Sequence, residues 1–226
     1  MNSGVLLRNF LGHTSEIHSI AFGPRGKLLI SGANSGTLRI WDVASGKLKD
    51  SYPIHLRPIK SVAVSPDGLF IATGSIDTTA KVLNTSGIVL FTLREHVSSV
   101  DSVAFSPDST KLATASWDGT VRLWEIPSGK ALRTYRHPRG VRTVKFSPGG
   151  RFIATGSFGD IVRVWSVETG RELRTLTEHQ DFVNTVAFSP CQIRSDSGQC
   201  EFWSGLLASG SLDTNIKLWD ISDLLP

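Results

Sequence analysis

Cysteine is almost missing from this sequence: Cys191 and Cys200 are the only two in 226 residues, and both fall in one short segment. Nothing resembles a disulfide framework, and with no second pair or nearby histidine the two make no zinc site. A reducing intracellular compartment is therefore expected, cytoplasmic or nuclear. Long apolar runs are absent too, for no stretch approaches the about eighteen apolar residues of a membrane span. The N-terminal MNSGVLLRNFLGH lacks the basic start and apolar core of a secretion signal, so a soluble chain without a membrane partner is expected. There is no block of one charge: 24 basic and 20 acidic residues are dispersed, the formal net charge is +4, and no nucleic-acid partner is indicated. What remains, 40% hydrophobic and 19% charged, suits one globular unit with a substantial core.

Repetition dominates what is present. Five of the six histidines, His13, His55, His96, His137 and His179, recur at intervals of 42, 41, 41 and 42 residues. A second marker follows the first four by 28 residues, at Trp41, Leu83, Trp124 and Trp165, whereas Trp219 follows His179 by 40. The fifth repeat thus carries 12 extra residues. Proline locates them: Pro66, Pro107 and Pro148 each precede an alanine by six residues, while Pro190 precedes Ala208 by eighteen. The repeats read as 13–54, 55–95, 96–136, 137–178 and 179–226, with 191–205 a loop containing the insertion.

Within a repeat the pattern is strands and tight turns. Repeat three shows it best: VDSVAF, KLATAS, TVRLWEI and ALRTY are separated by SPDST, WDG and PSGK. Alternating apolar residues, β-branched side chains and Gly, Pro or Asp at each reversal predict a four-stranded antiparallel meander. One such unit cannot bury its faces alone, so neighbours must stack, and stacking in a circle makes a propeller.

Gly12-His13, Trp41-Asp42 and Trp219-Asp220 resemble the boundary dipeptides of WD40 repeats, and the likeness covers nearly the whole chain. The resemblance implies an all-β propeller of five four-stranded blades around a channel. Leu83-Asn84, Trp124-Glu125 and Trp165-Ser166 depart from the second dipeptide, and repeats two to five lack glycine before histidine.

Each repeat also holds a hydroxyl, a histidine and, in several, a carboxylate. These are similar to the family's structural tetrad, His96, Thr114, Asp118 and Trp124 in repeat three and His179, Ser209, Asp213 and Trp219 in repeat five. A catalytic triad would occur once, beside an oxyanion site, and not as imperfect copies in every repeat. The copies decay separately, with Ser35 at the carboxylate position in repeat one, Leu83 for tryptophan in repeat two, and Gly159 followed by Asp160 in repeat four. Gly46-Lys47 and Gly129-Lys130 lack the earlier glycine and following helix of a phosphate loop. No enzyme, cofactor or metal is expected. Ser195 and Ser197 are candidate phosphate acceptors in the insert.

Function is therefore sought on a surface. In the family the histidine and carboxylate loops share one face of the ring. The residue before the carboxylate is Asn34, Ile76, Trp117, Phe158 or Leu212, apolar in four of five repeats. Three positions after the histidines stand Glu16, Pro58, Ser99, Gly140 and Phe182, and two further on His18, Lys60, Asp101, Arg142 and Asn184. An apolar ring of Ile76, Trp117, Phe158 and Leu212, joined by Phe182 and rimmed by Lys60, Asp101 and Arg142, is the expected binding surface for a protein or peptide. Packing of Ile76 and Leu212 against neighbouring blades is the competing account.

Ser3-Gly4 aligns with the turn before each fourth strand, and the sequence stops seven residues after Trp219. Residues 4–12 are accordingly expected to supply the outer strand of the last blade, giving a closed monomer, whereas an open ring would self-associate. The main reading is a non-catalytic interaction scaffold. The alternative is a repeat segment of a larger NTPase-type signalling protein, acting only in assembly with it.

Overall fold

A computed structural model describes residues 4–193 and 200–225. The first blade comprises β1 (Ile17–Phe22), β2 (Leu28–Ala33), β3 (Thr37–Asp42) and β4 (Leu48–Pro53), all antiparallel neighbours in that order. Blade two repeats this with β5 (Ile59–Val64), β6 (Phe70–Ser75), β7 (Ala80–Asn84) and β8 (Val89–Leu93). Blade three holds β9 (Val100–Phe105), β10 (Lys111–Ser116), β11 (Thr120–Glu125) and β12 (Ala131–Arg136), and blade four holds β13 (Val141–Phe146), β14 (Phe152–Ser157), β15 (Val162–Ser166) and β16 (Glu172–Leu176). The strands predicted for repeat three differ from β9 to β12 by one residue at most. Helix among the described residues is limited to two three-residue 3-10 turns.

The fifth blade departs from expectation. After β17 (Val183–Phe188) the insert forms a separate hairpin, β18 (Cys191–Ile193) with β19 (Cys200–Trp203), before β20 (Leu206–Ser211) and β21 (Ile216–Asp220) complete a sheet of three strands. Residues 4–12 are not strand and pair with no sheet, so they do not supply the outer strand expected of them. Instead Phe10 lies edge-on to Trp41, with ring centroids 5.8 Å apart, which holds the segment against blade one. The 191–205 segment, expected as loop, is anchored by Trp203, buried against Phe152 and Phe188 and donating to the Ser189 hydroxyl at 2.8 Å. Cys191 is disulfide-bonded, which removes cysteine scarcity as an argument for a reducing compartment. Ser195 and Ser197 lie outside the described residues.

The hydrophobic core is divided among the junctions between blades. One apolar cluster occupies each of the junctions one–two, two–three, three–four and four–five; Ala115, Leu123, Val141 and Ile153 belong to the third of these. Small residues let the sheets approach: a Cβ on Gly74 would lie 2.8 Å from the Val100 carbonyl of the next blade. Inner strands are also stitched by hydroxyls, since Val62, Val103 and Val144 donate their N–H groups to Ser19, Ser61 and Ser102 of the preceding blade at 3.0–3.3 Å. Among the described residues no cluster joins blade five to blade one. Ile17, Ile20 and Phe22 on β1 and Ile216 and Leu218 on β21 remain exposed, so the five blades form an open arc.

Candidate functional site

The loop face is organised by hydrogen-bonded chains that run through the blades. In blade three the Thr114 hydroxyl lies 2.8 Å from Nε2 of His96 and accepts from Trp124 Nε1 at 2.9 Å, while His96 Nδ1 meets Asp118 at 2.8 Å. With the ring proton on Nδ1, Asp118 accepts it and Thr114 donates to Nε2. Blade five repeats the chain through Asp213, His179, Ser209 and Trp219, at 2.7, 2.7 and 2.8 Å. Blade two keeps Asp77, His55 and Thr73 but places buried Leu83 where the indole would be. Burial opposes the charge on Asp118, yet hydrogen bonds from His96 and Thr120 hold its carboxyl well below the usual range. The hydroxyls resemble catalytic nucleophiles only in their partners: Thr114 and Thr73 are 0% exposed, and no substrate carbonyl can reach them.

Blade four has lost the carboxylate. His137 Nε2 and Trp165 both bond Thr155, at 2.9 and 3.0 Å, but His137 Nδ1 is buried without a partner because Gly159 stands where blades two, three and five place aspartate. Burial, with the Arg163 charge adding, pushes the His137 ring down to about 3.

The two families of positions singled out in the sequence prove to be joined by one recurring bond. Asn34, Ile76, Trp117, Phe158 and Leu212 each donate a backbone N–H to the carbonyl of Glu16, Pro58, Ser99, Gly140 and Phe182, at 2.7–3.1 Å. This bond turns the residue before the carboxylate outward at the rim. Trp117 is 50% exposed and packs on Phe158 with centroids 3.9 Å apart; Phe158 in turn meets Phe182 edge-on at 5.3 Å. Gly140 permits this approach, since a Cβ there would lie 3.0 Å from both Trp117 and Phe158. Asp101, its side chain only 2% exposed, accepts from Ser99, Trp117 Nε1 and Arg142 at 2.6, 2.7 and 2.6 Å. It locks the indole in place instead of standing on the rim.

A family model described as "WD domain, G-beta repeat" matches residues 4–42, 46–84, 87–125, 129–166 and 170–220. The chain belongs to the WD40 family. Each WD40 unit in that frame takes the outer strand of one blade and three strands of the next, which places residues 4–12 at an outer-strand position. Among curated relatives, human WD repeat-containing protein 36 is 40% identical over 72 residues, covering 32% of this chain and 8% of that protein. Eukaryotic translation initiation factor 3 subunit I of Drosophila pseudoobscura is 37% identical over 33% of the chain and 23% of its own length. Nuclear distribution protein PAC1-2 of Uncinocarpus reesii is 34% identical over 36% of the chain and 19% of its own. The matched segments thus span less than a quarter of these relatives, which are named as a WD repeat protein, a translation initiation factor subunit and a nuclear distribution protein.

This WD40 chain gathers Lys60, Ile76, Asp101, Trp117 and Arg142 around one cavity of about 420 Å³ between blades two, three and four. Phe158 and Phe182 extend the aromatic row beside it, whereas Leu212, 53% exposed, lines no part of that cavity. Ile76 is 38% exposed and forms cavity wall. Sequence reasoning missed Val97, which is 84% exposed and lines the same cavity. A signal existed, for the residue after histidine is Leu56 in blade two and Val97 in blade three, both apolar and both strongly exposed.

Proposed function

We propose that this chain is a non-catalytic scaffold that binds a protein or peptide on the face carrying the histidine and carboxylate loops, using Ile76, Trp117, Phe158, Phe182 and Leu212 with Lys60 and Arg142 at the rim. The observation that carries this reading is the surface row Trp117–Phe158–Phe182, with Trp117 and Phe182 exposed and the indole tied to Asp101 and the row to backbone bonds. A rigid aromatic patch at the surface loses little entropy on binding and supplies the anchors on which interfaces depend. Asp101 acts in it as a positioning residue. The relatives named for translation initiation and nuclear distribution favour an intracellular setting, cytoplasmic or nuclear. No helix among the described residues is long and apolar enough to cross a membrane.

Affinity capture from lysate with the wild type beside Trp117→Ala/Phe158→Ala tests the proposal. Capture should be lost while the circular dichroism and melting temperature of the variant stay close to wild type. A variant that unfolds would show that these rings are core, and a folded variant that still captures the same partner would place binding elsewhere.

A second reading, a segment that works only assembled with the rest of a larger NTPase-type signalling protein, is favoured by the exposed apolar residues of β1 and β21.

A further inference from the structure

Resting on that reading, we propose that the cavity beside Trp117 selects an acidic peptide, taking one apolar side chain between Ile76, Val97 and Trp117 while a flanking carboxylate meets Lys60 and Arg142. The cavity is about 420 Å³, and its walls combine aliphatic groups with two cations.

The charge argument turns on which groups are already committed. Three carboxylates lie in the loops around the cavity, and each already accepts at least three hydrogen bonds from the protein. Asp77 accepts from His55 and from the hydroxyl and N–H of Thr79. Asp118 accepts from His96, Val97 N–H and Thr120. Asp101 accepts from Ser99, Trp117 and Arg142. These bonds occupy most of the acceptor sites of each carboxylate. The cations differ. Lys60 lines the cavity and joins no ion pair among the described residues. Arg142 spends one nitrogen on Asp101, lies 5.7 Å from the Phe158 centroid and keeps 36% of its side chain exposed. A ligand carboxylate thus finds donors at Lys60 and Arg142, where the acceptors of the cavity loops are mostly committed within the protein.

A nucleic acid would also bring negative charge, but the geometry favours a peptide. Phe158 lies against Trp117 at 3.9 Å, tilted by 46°, which leaves a base at most one indole face to stack on. The aliphatic wall of Ile76 and Val97 matches a leucine or phenylalanine side chain.

The test is a titration of the 226-residue chain with fluorescein-labelled Asp-Glu-Leu-Phe-Glu-Asp, read by anisotropy, beside the same peptide with Lys and Arg replacing its acids. Wild type should bind the acidic peptide alone, with affinity falling as salt rises. Lys60→Glu, a change at a partly exposed site that leaves the Asp101 network intact, should weaken it by about fivefold or more and admit the basic peptide. Equal binding of both peptides, no binding of the acidic one, or tighter binding of a fluorescein-labelled ten-nucleotide oligothymidylate would overturn the proposal. These failures are separable from failure of the scaffold reading. If Trp117→Ala/Phe158→Ala loses a captured partner that Lys60→Glu retains, the face binds but the acidic chemistry is wrong. If neither variant loses it, the face reading falls as well.

Discussion

Thr114 satisfies two buried groups at once, donating to His96 and accepting from Trp124. Thr114→Val keeps the shape and removes both bonds, so chemical denaturation should show a loss of about 2–4 kcal/mol, the cost of leaving buried polar groups unpaired. His137 yields a prediction in pH. Its folded pKa, about 3, lies below the ordinary 6.5. The unfolded chain therefore binds the extra proton first, so the contribution of the neutral ring is complete above about 6.5 and is lost as pH falls toward 3. The slope approaches about 1.4 kcal/mol per pH unit. Denaturation midpoints between pH 7 and 4 should fall in wild type and fall less steeply in His137→Gln. His55, also pushed down by burial, contributes in the same direction and keeps the residual slope above zero.

At the level of elements, the residue after the carboxylate position, which holds Ser35 in blade one, adopts a left-handed backbone in four blades, Gly36, Thr78, Gly119 and Thr214 having φ between 69° and 80°. Glycine does so freely and a β-branched threonine does not. Thr214→Asn should accordingly raise the melting temperature by a few degrees, corresponding to about 1 kcal/mol. The blade strands were legible because turn residues and alternating apolar residues mark them; so were the tetrads of blades three and five, whose hydroxyl and carboxylate stand ten and six residues before the tryptophan. Two things were not. The hairpin of the insert depends on Trp203 finding Phe152 and Phe188, contacts between blades four and five that no local pattern encodes. Asp101 reads as a rim charge, because its position resembles that of Lys60 and Arg142; only the approach of Trp117 Nε1 and Arg142 from neighbouring loops shows it buried. Closure by residues 4–12 followed from alignment of the Ser3-Gly4 turn, but reach in space is not set by register in sequence.

The whole molecule is an arc with apolar residues at both ends. Ile216, 83% exposed, and Leu218 on an unpaired strand edge are a template for association. Sedimentation of the 226-residue chain should show mass rising above 24.5 kDa with concentration, and Ile216→Lys/Leu218→Lys should suppress the rise. That behaviour belongs to the ends; the proposed function belongs to the loop face. Hydrogen–deuterium exchange on the complex with a captured partner separates them most directly. The account predicts slowed exchange in residues 97–101, 117–119 and 139–142 around the cavity, with β1 and β21 unchanged. Protection confined to β1 and β21, with those loops exchanging as in the free chain, would contradict it.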